Sequence, residues 1–299
     1  MKLKAWIRAL RLRTLPLALS SVGMGAFLAA FYNKFNLHIF ILSTTTTLFL
    51  QILSNLANDY GDTKSGVDHL NRQGPSRTVQ AGLISLNEML IGIIIVATLT
   101  LVTGIWLLGV SFHSINYTFI IFLFLGLAAI AAALKYTMGK NPYGYKGYGD
   151  IFVLLFFGIV AVSGSYYLYS KTFSVQVLLP SASFGFLATG VLNVNNIRDI
   201  DSDEEAGKYS IPVRIGRKNA IIYHWILLLL AFVLVITFTY INFRSWWQLL
   251  FLMTLPLFIR NGVAVYRYEN AKELDPYLRQ LAISSSLFTL LFGAGLLLS

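Results

Sequence analysis

Two short acidic stretches hold most of the chemistry this chain can do. The first is Asn55 with Asn58-Asp59-Tyr60-Gly61-Asp62, followed by Asp68. The second is Asn195-Asn196-Ile197-Arg198-Asp199, followed by Asp203. Each closes an apolar segment. On a helix Asp59 and Asp62 are three apart, and Asp199 and Asp203 four apart, so each pair shares a face. Like charges on one face repel unless a cation lies between them. Hard oxygen donors without soft ones favour Mg2+, which bridges a few carboxylates to substrate phosphates. Asn55, Asn58, Asn195 and Asn196 add neutral oxygens or hold bound water. The plainer reading is a solvated helix end, where Asp and Asn are common caps. Two such clusters on one side of a membrane favour the metal.

Basic residues accompany both clusters. Arg72 and Arg77 follow the first, Arg198 lies inside the second, and Lys208 comes after it. Guanidinium forks match phosphate oxygens, so the set suits a diphosphate. Arg77 and Lys208 can also serve as topology charges or lipid contacts; for Arg214, Arg217 and Lys218 that reading is preferred. A third polar stretch, 135–150, contains Tyr136, Tyr143, Tyr145 and Tyr148 among four glycines. Aromatic rings there could stack on an aromatic acceptor or shield a developing cation. Tyrosine is also common at membrane interfaces without any catalytic role. Asp150 opens the next apolar segment, as a cap, a member of a metal shell or a substrate contact.

The elements that must position these residues read as membrane helices. The 299 residues are 56% hydrophobic and 12% charged, far from a soluble domain's balance. With no cysteine, thiol catalysis and thiolate metal sites are excluded, and four scattered histidines make no zinc pattern. Nine spans fit the hydropathy: 15–33, 38–58, 88–110, 116–135, 150–170, 174–197, 221–241, 246–264 and 280–298. The basic lead-in runs into the first of them, and no signal-peptide cleavage site follows. On this count 20 of the 23 basic residues, and all 13 acidic ones, fall on the N-terminal side. The positive-inside rule therefore places the N-terminus in the cytosol and the C-terminus outside. A net charge of +10 spread over short loops is a topology signal, so no nucleic-acid partner is expected. One all-α domain spanning 1–299 is expected: nine helices around a central cavity, capped by cytosolic loops. Oligomeric state is not legible.

Taken together, these stretches resemble the UbiA superfamily of intramembrane prenyltransferases, and within it the branch acting on 1,4-dihydroxy-2-naphthoate. Arg11-Leu12-Arg13-Thr14-Leu15-Pro16 is similar to the family's opening, with Leu12 where a proline is usual. Asn55 to Asp62, then Gly66, Asp68 and Gly74-Pro75-Ser76-Arg77, resemble the branch's first motif. Asn195 to Asp199, Asp203 and Gly207-Lys208 resemble the second. Tyr136-Thr137 and Tyr148-Gly149-Asp150 resemble the central loop, with Asp150 where glutamate is common. The resemblance implies that Asp59, Asp62, Asp199 and Asp203 hold Mg2+, two ions in number, on a polyprenyl diphosphate. Arg72, Arg77, Arg198 and Lys208 would neutralise the remaining phosphate charge. Asn55, Asn58, Asn195, Asn196, Asp68, Tyr136, Tyr148 and Asp150 would contact substrate. It further implies an aromatic acid acceptor, decarboxylation, demethylmenaquinol as product, and residence in a bacterial inner membrane among its lipids. Other aromatic acceptors (4-hydroxybenzoate, homogentisate, haem) are the alternative within the family. A secondary transporter is the alternative outside it, disfavoured because the charges cluster at helix ends rather than at the midplane.

Overall fold

In hydrocarbon every backbone amide needs an internal partner, so long apolar runs fold as helices. The computed structural model describes residues 2–66 and 77–299, and its regular elements are all helical. Asp68 and Arg72 lie outside the described residues. Among the described residues, nine helical segments are long and apolar enough to cross a bilayer. A lead-in helix α1 (Lys2–Leu10) turns at Arg11, whose φ is 49°, into α2 (Leu15–Phe31). There follow α3 (Leu37–Ser65), α4 (Leu86–Phe112), α5 (Tyr117–Lys135) and α6 (Gly149–Ser170). The second half comprises α7 (Leu178–Arg198), the short α8 (Ile200–Glu205), α9 (Ile211–Ile241), α10 (Trp246–Arg267) and α11 (Leu274–Leu297).

The nine expected spans are all present, and three of them run further than hydropathy suggests. The second, expected to stop at 58, continues as α3 to Ser65. Its polar tail is still compatible with helix, and Gly66 ends it in a left-handed conformation (φ 74°), returning its amide to the Asp62 and Thr63 carbonyls. The seventh is preceded by a short helical turn from Ile211 with Pro212 in it, and the chain kinks at Gly216 (φ 77°, ψ 162°) before the long helix runs on to Ile241. The ninth begins at Leu274 rather than 280.

Helix α7 lies inside the bundle, against α6, α9 and α11, while α3 packs on α4 and α5. The last span, α11, packs on α2 and so joins the two ends of the chain. Small residues set the closest crossings: a Cβ on Gly158 of α6 would lie 2.7 Å from the Ser181 carbonyl oxygen and 2.8 Å from the Gly185 Cα of α7. Elsewhere aromatic packing does the work. Phe232 of α9 meets Phe258 of α10 at 5.2 Å and Phe288 of α11 at 5.4 Å between ring centroids, both edge to face.

Candidate active site

Helix propagation through Ser65 places Asp59 and Asp62 within α3 rather than on a loop. Both are buried, at 1% and 6% exposure, so each needs a partner. Asp59 Oδ2 accepts from the Thr78 amide (3.2 Å) and from the Thr78 hydroxyl. Its Oδ1 has no partner among the described residues. Asp62 pairs with Arg77, whose guanidinium also donates to the Asn58 carbonyl, and it accepts from the Tyr145 hydroxyl at 2.5 Å. Asn55 is tied elsewhere: its amide donates to the Leu10 carbonyl (2.9 Å) and the Thr14 hydroxyl (3.0 Å). It thereby fixes the lead-in helix against the first motif.

The second motif spans a helix break. Arg198 ends α7, and Asp199 has φ −98° and ψ 12° before α8 begins. The break lets Arg198 fold back onto its neighbour, Nε to Asp199 Oδ1 at 2.8 Å and Nη2 to Oδ2 at 2.7 Å. The same guanidinium donates to Asn195 Oδ1 (2.9 Å) and, from Nη1, to Asp275 of α11 (2.7 Å). Asp203 keeps helical register with Asp199 through its amide (2.7 Å), and its carboxylate pairs with Lys208 Nζ at 2.8 Å. Asn196 is buried and its side-chain oxygen has no partner among the described residues.

The stretch between α5 and α6 joins the motifs. Thr137 donates its hydroxyl to the Ala57 carbonyl (3.0 Å) and Asn58 Oδ1 (3.2 Å). A Cβ on Gly61 would stand 2.6 Å from the Thr137 carbonyl oxygen, so glycine alone permits this approach. Tyr145 touches Asp62 through its hydroxyl, while its carbonyl accepts from the Tyr209 amide (2.8 Å), beyond the second motif. Arg214 donates to the Lys146 carbonyl at 2.9 Å. Asp150, at the start of α6, is buried and accepts from the Tyr223 hydroxyl of α9 at 3.1 Å.

Electrostatics put these groups in one field. Burial raises the Asp203 carboxyl above its ordinary value; Lys208 opposes the rise, and the Asp199 and Asp62 charges add to it. Burial disfavours the Lys208 ammonium, but Asp203, Tyr136 and Asp62 outweigh it and hold the group above the usual lysine value. Burial, with help from Asp150, Asp62 and Asp203, pushes the Tyr136 phenol up to about 12 against the pull of Lys208. Lys208 thus pairs with Asp203 of the second motif and also feels the Asp62 charge of the first. Among the described residues no three Asp, Glu or His side chains cluster as ready metal ligands, and Asp62, Asp199 and Asp203 are each paired with a basic side chain. Two buried, unpartnered oxygens, Asp59 Oδ1 and Asn196 Oδ1, supply the hard donors that Mg2+ prefers. In donor chemistry, all oxygen with no sulfur, these residues suit that ion.

Sequence reasoning missed Thr78, Tyr145, Tyr223 and Asp275. Tyr148, expected at the site, is 52% exposed and makes none of these contacts. Gly147, with φ 77°, turns the chain just before it, and Tyr145 occupies the place beside the first motif. Nothing in the spacing of the four tyrosines distinguishes the two.

A helical bundle that gathers two acidic motifs and their basic partners at one end has the form of a polytopic membrane enzyme. More specifically, the chain belongs to the UbiA prenyltransferase family, whose model matches residues 18–288. It is 41% identical to the 1,4-dihydroxy-2-naphthoate octaprenyltransferase of Haemophilus influenzae, over 99% of this chain and 97% of that protein. It is 42% identical to the Escherichia coli enzyme of the same name, over 99% and 96%. Among solved structures, the fold is similar to a UbiA homologue from Aeropyrum pernix (TM-score 0.72, 20% identity, 96% of this chain and 98% of that one). It is also similar to an Archaeoglobus fulgidus homologue bound to GPP and Mg2+ (TM-score 0.68, 20% identity, 99% and 100%).

Proposed function

We propose that this protein transfers a polyprenyl group from a polyprenyl diphosphate to 1,4-dihydroxy-2-naphthoate, with decarboxylation, giving demethylmenaquinol. The observation that carries the reading is that Tyr145 bonds both Asp62 of the first acidic motif and the Tyr209 amide just beyond the second, in a chain that shares about two-fifths of its residues with naphthoate prenyltransferases. Asp59, Asp62, Asp199 and Asp203, with Asn196, would hold Mg2+, two ions in our reading. Bound there, Mg2+ supplies Lewis-acid stabilisation of the leaving diphosphate.

The chain's own residues account for the rest. Arg77 and Lys208 lie in contact with the motif carboxylates, so a diphosphate arriving between the motifs meets cations already in place. Arg198, held by Asp199 and Asp275, fixes the second motif. As the C1–O bond breaks, the electron pair leaves with the diphosphate. The allylic carbon bonds to the carboxylated ring carbon, the bond to the carboxylate breaks, its electrons restore the aromatic ring, and carbon dioxide departs. No ring proton is removed in that sequence. The loop bearing Thr137 and Tyr145 covers the first motif and limits water, which would quench the cation to a prenol. Asp150 with Tyr223, close to Tyr136, forms the polar wall offered to the acceptor. The motif end faces the cytosol in this reading, with the N-terminus inside and the C-terminus outside.

The test uses purified protein in lipid with Mg2+, a short allylic diphosphate and 1,4-dihydroxy-2-naphthoate. Mass spectrometry should show a prenylated, decarboxylated quinol that is absent with EDTA. Product formed only with a different aromatic acceptor would overturn the acceptor and keep the donor chemistry.

A further inference from the structure

Away from the acidic motifs, the outer side of α10 and the start of α11 enclose a groove of about 570 Å³. It is two-sided in chemistry. Pro256, Ile259, Val263 and Ala264 give it an apolar floor, and Arg260 and Arg267 stand along it with Tyr268 and Tyr277. Both arginines are exposed, and neither has a partner among the described residues. Arg260 lies seven residues inside the span, about 10 Å below Arg267 at the helical rise. A lipid-facing guanidinium at that depth is costly unless it snorkels to an anion. The Tyr268 hydroxyl is shielded and has no partner among the described residues, so the groove holds a further donor. Glu273, the groove's acidic residue, engages the Glu269 amide at 3.5 Å, within the turn that leads into α11.

We propose that this groove binds an anionic phospholipid, its phosphate between Arg260 and Arg267 and an acyl chain along Pro256, Ile259 and Val263. Charge complementarity selects the occupant: two free cations above an apolar trough match a negatively charged headgroup on a chain, and a zwitterionic headgroup cancels half of that match. The groove opens at the same end of the bundle as the acidic motifs. Arg217 stacks on the Tyr268 ring at 5.1 Å and reaches Asp201, between Asp199 and Asp203, at 3.8 Å. The bound lipid therefore lies beside the segment that carries the second motif. None of these residues belongs to the catalytic set, so the inference stands apart from the acceptor assignment.

Native mass spectrometry of the purified protein, with phosphatidylglycerol or phosphatidylcholine added in detergent, tests it. Two interfacial arginines predict a preference for phosphatidylglycerol of roughly thirtyfold, each contributing roughly fivefold. Arg260→Gln and Arg267→Gln should each lose about that single factor, and the double variant should lose the preference. Val263→Trp, which fills the floor and leaves the charges, should reduce retention of either lipid. Equal retention of the two lipids, or an unchanged preference in the double variant, would overturn the proposal. So would displacement of phosphatidylglycerol by equimolar geranyl diphosphate, which would make the groove a donor site. Since no substrate turnover is read, failure here leaves the prenyl-transfer reading untouched, and the converse also holds.

Discussion

Tyr145→Phe is the sharpest probe of how the first motif is held. The substitution deletes one oxygen and leaves the ring, the loop and the backbone pairing with Tyr209 in place. The lost hydroxyl donates to Asp62 Oδ1 at 2.5 Å and lies 2.8 Å from the Ser65 hydroxyl. A hydrogen bond to a carboxylate contributes about 1.5–3 kcal/mol, and the lower end applies because Tyr145 is only half-buried. Asp62 keeps Arg77, so its burial remains compensated and little stability should be lost. What goes is the fixed orientation of a motif carboxylate. About 1.5 kcal/mol at 1.4 kcal/mol per decade predicts a fall of about tenfold in kcat/KM for the allylic diphosphate. The Mg2+ concentration for half-maximal rate should rise with it. The assay is initial-rate product formation in nanodiscs across a Mg2+ titration, with thermal unfolding measured in parallel. Tyr148→Phe, at an exposed ring, is the matched control and should change neither. Wild-type kcat/KM in Tyr145→Phe, or an equal loss in Tyr148→Phe, would refute the argument.

Asp62→Asn and Asp199→Asn should each abolish turnover while the protein still inserts and elutes as a folded particle, checked by product mass spectrometry and size exclusion. Gly61→Ala should force the Thr137 backbone away, destabilise the protein by about 1–3 kcal/mol and lower turnover, read as a drop in melting temperature with loss of product. Chelation with EDTA should stop the reaction, and added Mg2+ should restore it. Because the chain has no cysteine, single cysteines at Lys34, Lys171 or Arg244 should react with an impermeant thiol reagent from outside intact cells, and one at Lys140 should not; the reverse pattern would invert the orientation.

Hydropathy was enough to find the nine spans, because each is set by one local quantity, the length of an apolar run. It stopped short at 58, where polar residues continue the helix to its end at Gly66, and started late at 221, where the helix reaches back to a kink at Gly216. The acidic motifs were visible through residue type and spacing. Their partners were legible only in part. Arg77, Arg198 and Lys208 lie near the motifs in sequence, whereas Asp275 reaches Arg198 across 77 residues and Tyr223 reaches Asp150 across 73. No periodicity reports such pairings. The choice of Tyr145 over Tyr148 depends on a left-handed turn at Gly147, which the glycine permits without requiring. Asn55 was singled out as a substrate ligand; that its amide donates to Leu10 and Thr14, and so ties down the lead-in helix, could not be read from its spacing.

The contact between Arg198 and Asp275 also ties the second motif to a distant part of the chain. Between Arg198 and its second carboxylate partner, Asp275 of α11, the chain crosses the bundle twice, through α9 and α10. The guanidinium's other partners, Asn195 and Asp199, are neighbours in sequence. The second motif therefore gains its outer carboxylate from a helix three spans further along, which also packs on α2. The order of the Arg198 network thus depends on a helix remote in sequence, so a disturbance at Asp275 would reach the second motif without touching any of its own residues.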